Sequence, residues 1–157
     1  MSEERNLELG RRWFGSLWSE GDLGVADEIV SPDYDPDWVH IEARGPAQVK
    51  HEVRYFRSVF PDLKYEIVDA AAQADRVWVR YRASGTHRGK AWGFEPTDRA
   101  VEFEGVTILY VDAQGLIADR WGAFCFYDVF YDLGLVPPFW ELSEHLGGGG
   151  ADCRQHG

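Results

Sequence analysis

Leu116 to Gly134 reads LIADRWGAFCFYDVFYDLG: a long strand, then a short helical turn, closed by Leu-Gly. A strand alternates its side chains between two faces. That period puts Ile117, Asp119, Trp121, Ala123 and Cys125 on one side and Ala118, Arg120, Gly122, Phe124 and Phe126 on the other. The first face combines an acid, an indole and a thiol, a mixture that suits a lined pocket better than a plain core. A packed sheet that tolerates one polar residue is the alternative.

Working outward, Asp112-Ala-Gln-Gly115 is a hairpin turn into this strand from a preceding one over Val101 to Val111. Arg76 to His87 alternates clearly, with Val77, Val79, Tyr81 and Ala83 set against Trp78, Arg80, Arg82 and Ser84, and Leu63 to Ala72 alternates before it. The helices come first. Leu7, Trp13, Phe14, Leu17 and Trp18 recur at helical spacing in Glu3 to Trp18, and Leu23 to Val30 repeats the pattern up to Ser31-Pro32. Pro46 opens a third helix whose buried side is Val49, Val53, Phe56, Val59 and Phe60. Three helices followed by a meander of antiparallel strands make an α+β domain, a curved sheet covered by helices that forms a cone around an apolar pocket. The domain spans residues 1–140, and the Gly-rich tail 141–157 is expected to be disordered. The outer sheet face, read as Trp78, Phe124 and Phe126 beside Arg80, Arg82 and Arg120, predicts a homodimer.

The net charge of -11 opposes binding to nucleic acid or to anionic membranes, both of which require basic surface. No apolar run approaches the roughly 20 residues that span a bilayer, and Met-Ser-Glu-Glu-Arg is not the start of a signal peptide. A cytoplasmic location is expected. Cys125 and Cys153 are too differently placed to pair and are read as free thiols. No His-Cys-Asp cluster has metal-ligand spacing, and the terminal glycines are not a phosphate loop.

The ordered words RWFGSLWSEGDL, SPDY, VHIEARG, VFPDL, DRVWVRYRASGTHRG, GFEPTDRAVEFEGV, QGLIADRW and DLGLVPP, over residues 5–138, together resemble the SnoaL-like polyketide cyclases of the nuclear-transport-factor-2-like superfamily. The resemblance implies the cone fold, an apolar cavity, no cofactor, frequent dimers and, in the best-understood members, intramolecular aldol ring closure. In those members an aspartate four residues after the tryptophan serves as general acid and base. Here that position is Cys125, and the preceding strand, VTILYV, lacks the family's histidine.

The candidate catalytic groups are therefore His40, Cys125 and Asp128. His40 lies where the family often shows a histidine, and its pKa suits a base. Cys125 is either a paired thiolate or a small packing residue. Asp128 is placed by helical spacing to return to the same side. Trp13, Phe56, Tyr81 and Trp121 converge as walls for a flat apolar, aromatic or polyketide-like ligand, and an aromatic core is the plainer account. His87 is a ligand contact or a turn-forming structural residue. Asp119 and Glu104 are the acids that could face inward. Three readings follow: a cofactor-free cyclase, isomerase or lyase; a non-catalytic binding protein or partner subunit; and an epoxide hydrolase. The last needs an Asp-Arg-Asp arrangement, and adjacent Asp119 and Arg120 point to opposite faces.

Overall fold

The computed structural model describes residues 2–36 and 43–145. Helix α1, Glu3–Arg12, is capped by the Ser2 side chain, which accepts from Arg5 N. It continues without a break into a π-helical segment, Trp13–Ser19. There Ser19 Oγ donates to Phe14 O at 2.6 Å, and Glu20 N donates to Gly15 O at 3.0 Å. The single helix expected through Trp18 thus widens over its last turns. Widening carries Trp13, Phe14, Leu17 and Trp18 into the interior together, and segments of this kind are frequent at functional sites.

Short α2, Gly24–Ile29, and longer α3, Pro46–Val59, complete the N-terminal layer. Four antiparallel strands follow in sequential order: β1, Lys64–Gln73; β2, Arg76–Thr86; β3, Ala100–Val111; and β4, Ile117–Phe124. The helices lie on one face of this sheet, with Gly10 close enough that a Cβ there would meet Val77 and Val79 at 3.4 Å. Ser31 N donates to Ile117 O at 2.9 Å, so the segment after α2 reaches the free edge of β4 and helps to close the cone. The α+β cone predicted from the pattern is the fold that forms. Helix α4, Phe126–Asp132, a 3-10 turn, Phe139–Glu141, and α5, Leu142–His145, end the described chain. The tail expected to be disordered from residue 141 is helical through His145, and its remainder, with Cys153, lies outside the described residues. Among the described residues no helix is long and apolar enough to cross a membrane.

Register corrects one reading. Tyr110 pairs with Asp119 and Val111 pairs with Ile117, which leaves Ala118 as an extra residue on β4. Such a bulge shifts the phase of alternation by one. Ile117 is buried as expected, but beyond the bulge the interior rows are Val77, Leu109 and Arg120; Val79, Thr107 and Gly122; and Tyr81, Gly105 and Phe124. Arg120, Phe124 and Phe126 therefore leave the predicted outer face. Trp121 joins it, in a row with Ala71, Trp78 and Ile108.

Candidate functional site

The π segment, α3 and the inner rows of the sheet enclose a cavity of about 350 Å³. Trp13, Phe14 and Trp18 form its helical wall with Phe56; Tyr65, Tyr81 and Phe124 form its sheet wall, and Phe126 adds a ring from the start of α4. The rings meet edge to face or tilted, Phe14 and Tyr65 each lying 5.1 Å from Tyr81 and Trp18 lying 5.9 Å from Tyr65. Gly105 makes room for this arrangement. A Cβ there would come within 2.4 Å of the Tyr81 hydroxyl, so only glycine lets the phenol cross β3.

Arg120 is the cation in this aromatic surround, with its side chain only 10% exposed. Its guanidinium stands 5.5 Å from the Trp13 ring and 5.6 Å from the Trp18 ring. From α3, the Glu52 carboxylate accepts a hydrogen bond from Arg120 Nη2, and Glu52 is 5% exposed. Burial pushes the Glu52 carboxyl above its ordinary value even though the charge and the hydrogen bond of Arg120 act the other way.

The neighbouring phenols report the same field. Burial pushes Tyr81 up to about 12, opposed by the charge of Arg120 and by a hydrogen bond with Thr107. Tyr34 and Tyr65 are also raised by burial, and in each case the positive charge of Arg120 favours the anion. Of these three, Tyr65 and Tyr81 line the cavity, so the charge of Arg120 favours an anionic oxygen there. The Tyr34 hydroxyl and the Gln48 amide are buried with no hydrogen-bond partner among the described residues.

Trp13, Phe56 and Tyr81 line the cavity, where the sequence put them. Trp121 does not: the bulge turns it outward, and it is 52% exposed. His87 is fully buried but lies outside the cavity lining. Its Nδ1 accepts from Thr97 N at 3.3 Å and lies 3.2 Å from Thr97 Oγ1, while its ring packs on Phe60, so it closes a loop as the structural reading expects. Cys125 and Asp128 do come together, but in a separate acidic cleft of about 390 Å³ with Glu102, Glu104 and Asp132. Cys125 is exposed and precedes the first turn of α4, which rules out both the cavity position and the packing role considered for it. Asp119 is exposed, its carboxylate accepting from Arg120 N at 2.7 Å. Glu104 pairs with Arg80 and Arg82 on the outer face, at 2.6 and 3.1 Å. His40 lies outside the described residues.

Sequence reasoning missed Arg120 and Glu52. Glu52 carried a usable signal, since it falls on the apolar stripe of α3, three residues after Val49 and four before Phe56. A charge at such a position needs a buried partner. Among the described residues no group of three or more metal-ligating side chains assembles.

A helix-covered cone with an aromatic cavity and a buried cation defines the structural class. The chain belongs to the SnoaL-like polyketide cyclase family, whose model matches residues 8–130. Its fold is similar to that of TsrD from Streptomyces laurentii, with 21% identity, a TM-score of 0.80, and coverage of 87% of this chain and 99% of that one. It is similar to AclR, a candidate hydroxylase from Streptomyces galilaeus, with 24% identity, a TM-score of 0.73 and coverage of 87% and 100%. IdmH, a candidate polyketide cyclase from Streptomyces antibioticus, aligns with 22% identity, a TM-score of 0.70 and coverage of 82% and 98%. A search of curated proteins returns no match.

Proposed function

We propose that the protein is a cofactor-independent cyclase or isomerase of secondary metabolism, such as antibiotic biosynthesis, acting in the cytoplasm on an apolar polyketide-like ketone. The observation that carries this reading is the buried Arg120 guanidinium facing an otherwise aromatic cavity. A base removes a proton from the carbon next to a carbonyl, and the electron pair moves onto the carbonyl oxygen beside Arg120. The enolate carbon then attacks a second carbonyl, forming the ring C–C bond, and the new alkoxide takes the proton back. No electron acceptor is needed. His40 is the base in this proposal, chosen for its ordinary pKa.

Arg120→Met keeps the bulk and removes the charge. Incubated with polyketide-like diketones, it is expected to lose about 10²- to 10³-fold in kcat relative to the parent, the loss typical of removing an oxyanion donor. Unchanged turnover would reject the role of Arg120. A parent that binds these compounds without converting them would favour the second reading, a non-catalytic binding protein or partner subunit. One observation supports that alternative: among the described residues no carboxylate, imidazole or thiol lines the cavity. In either reading we place a second copy of the chain on the outer sheet face, where Trp121, Val106 and Val68 are exposed.

A further inference from the structure

The loop between β2 and β3 carries a conformation that its sequence disfavours. Ala91 and Phe94 exchange two backbone hydrogen bonds, Phe94 N to Ala91 O at 2.8 Å and Ala91 N to Phe94 O at 3.2 Å. The two residues between them are both left-handed, Trp92 at φ 51° and Gly93 at φ 83°. This geometry belongs to a tight turn that favours Asn or Gly at its first central position. A bulky aromatic residue there is an outlier held in place by its surroundings.

Those surroundings include two rings of the cavity wall. The Trp92 ring lies 6.3 Å from Phe56 on α3 and 6.0 Å from Phe126 at the start of α4, and both of these rings are cavity walls. It also lies 5.3 Å from Phe130 on the next turn of α4 and 6.3 Å from Phe60 beyond α3. One indole thus bridges two walls contributed by different elements. Phe126 itself is 41% exposed, so the cavity wall reaches solvent at this edge.

The base of the loop is built differently from its tip. Arg88 N and Gly89 N both donate to Val59 O, at 2.9 and 3.1 Å, and a Cβ on Gly89 would strike Ser58 O. Buried His87 exchanges backbone hydrogen bonds with Asp98 and Arg99 at 3.0 Å each. At the tip, the two Ala91–Phe94 turn bonds and the ring contacts of Trp92 hold the loop, and Lys90 pairs with Glu95 in solvent.

We propose that Trp92 is the specificity-determining plug of the cavity: its ring, delivered by a strained turn on an anchored loop, spans the mouth between Phe56 and Phe126 and limits which ligands enter. This rests on the cavity being the ligand site, as proposed above, but not on any reaction taking place there. The ligand class it selects is flat and apolar, since a molecule that displaces or stacks on the indole must replace contacts with five aromatic rings, those of Tyr55, Phe56, Phe60, Phe126 and Phe130.

The test is the binding of a neutral fluorescent probe, N-phenyl-1-naphthylamine, followed by stopped-flow fluorescence. Trp92→Gly removes the ring and suits the left-handed backbone. It should associate about tenfold or more faster than the parent, as loss of a gating step produces, whereas Trp92→Phe, which keeps a ring, should stay near the parent. Equal association rates for the parent and Trp92→Gly, or no binding by either, would overturn the proposal. Hydrogen exchange on the parent keeps the test independent of the variant's folding. The Ala91 and Phe94 amides should exchange together, faster than those of His87 and Asp98, and slow when the probe is bound. Exchange of all four in step, unaffected by the probe, would also overturn it. The probe carries no carbonyl and cannot form an enolate, so its association reads the mouth alone, and failure of the plug and failure of the proposed chemistry give different results.

Discussion

Glu52 holds Arg120 in place through the hydrogen bond it accepts from Arg120 Nη2. Its carboxyl is raised because burial costs the ionised form more than the guanidinium returns. A group whose folded pKa lies above its unfolded value of about 4.3 contributes stability that is fully present below that value, and this stability is lost as pH rises through the folded pKa. Glu52→Gln keeps the neutral form at every pH. In denaturant unfolding it should match the parent in acid and become the more stable of the two as pH rises past the Glu52 titration. If the parent instead gains on Glu52→Gln with rising pH, the attraction of Arg120 outweighs burial. The cation would then be neutralised and poorly placed to stabilise an oxyanion.

At the scale of elements, strands and helices were legible because their apolar periods are long and clean. Val77, Val79, Tyr81 and Ala83 alternate without interruption, and the structure buries all four. The candidate site was harder to read because it depends on where the period fails. A bulge adds one residue without any residue type that announces it, and Ala118 moved Arg120, Gly122 and Phe124 inward and Trp121 outward. The π segment is a second failure of period, and it aligns Trp13 and Trp18 against the same cation. Cys125 shows the cost of counting along a strand. The strand ends at Phe124, so the residue at the expected catalytic spacing turns away with α4 into the acidic cleft. The left-handed turn at Trp92 arises from packing between α3 and α4, which no local pattern encodes.

At the scale of the molecule, the outer sheet face carries an apolar row across all four strands, Ala71, Trp78, Ile108 and Trp121, flanked by Arg80 and Arg82 paired with Glu104. A second copy would bury this row. Sedimentation velocity at micromolar concentration should show a dimer for the parent and a monomer for Trp121→Glu, and a monomeric parent would leave the face without that partner. The inner face gives the protein its proposed chemistry, which is enolate formation beside Arg120. The most direct test needs no natural substrate: exchange of solvent deuterium into the carbon next to the carbonyl of 2-tetralone, followed by NMR. Exchange accelerated over buffer by the parent and reduced about 100-fold in Arg120→Met is the predicted result. A parent that binds 2-tetralone yet exchanges it no faster than buffer would contradict the account.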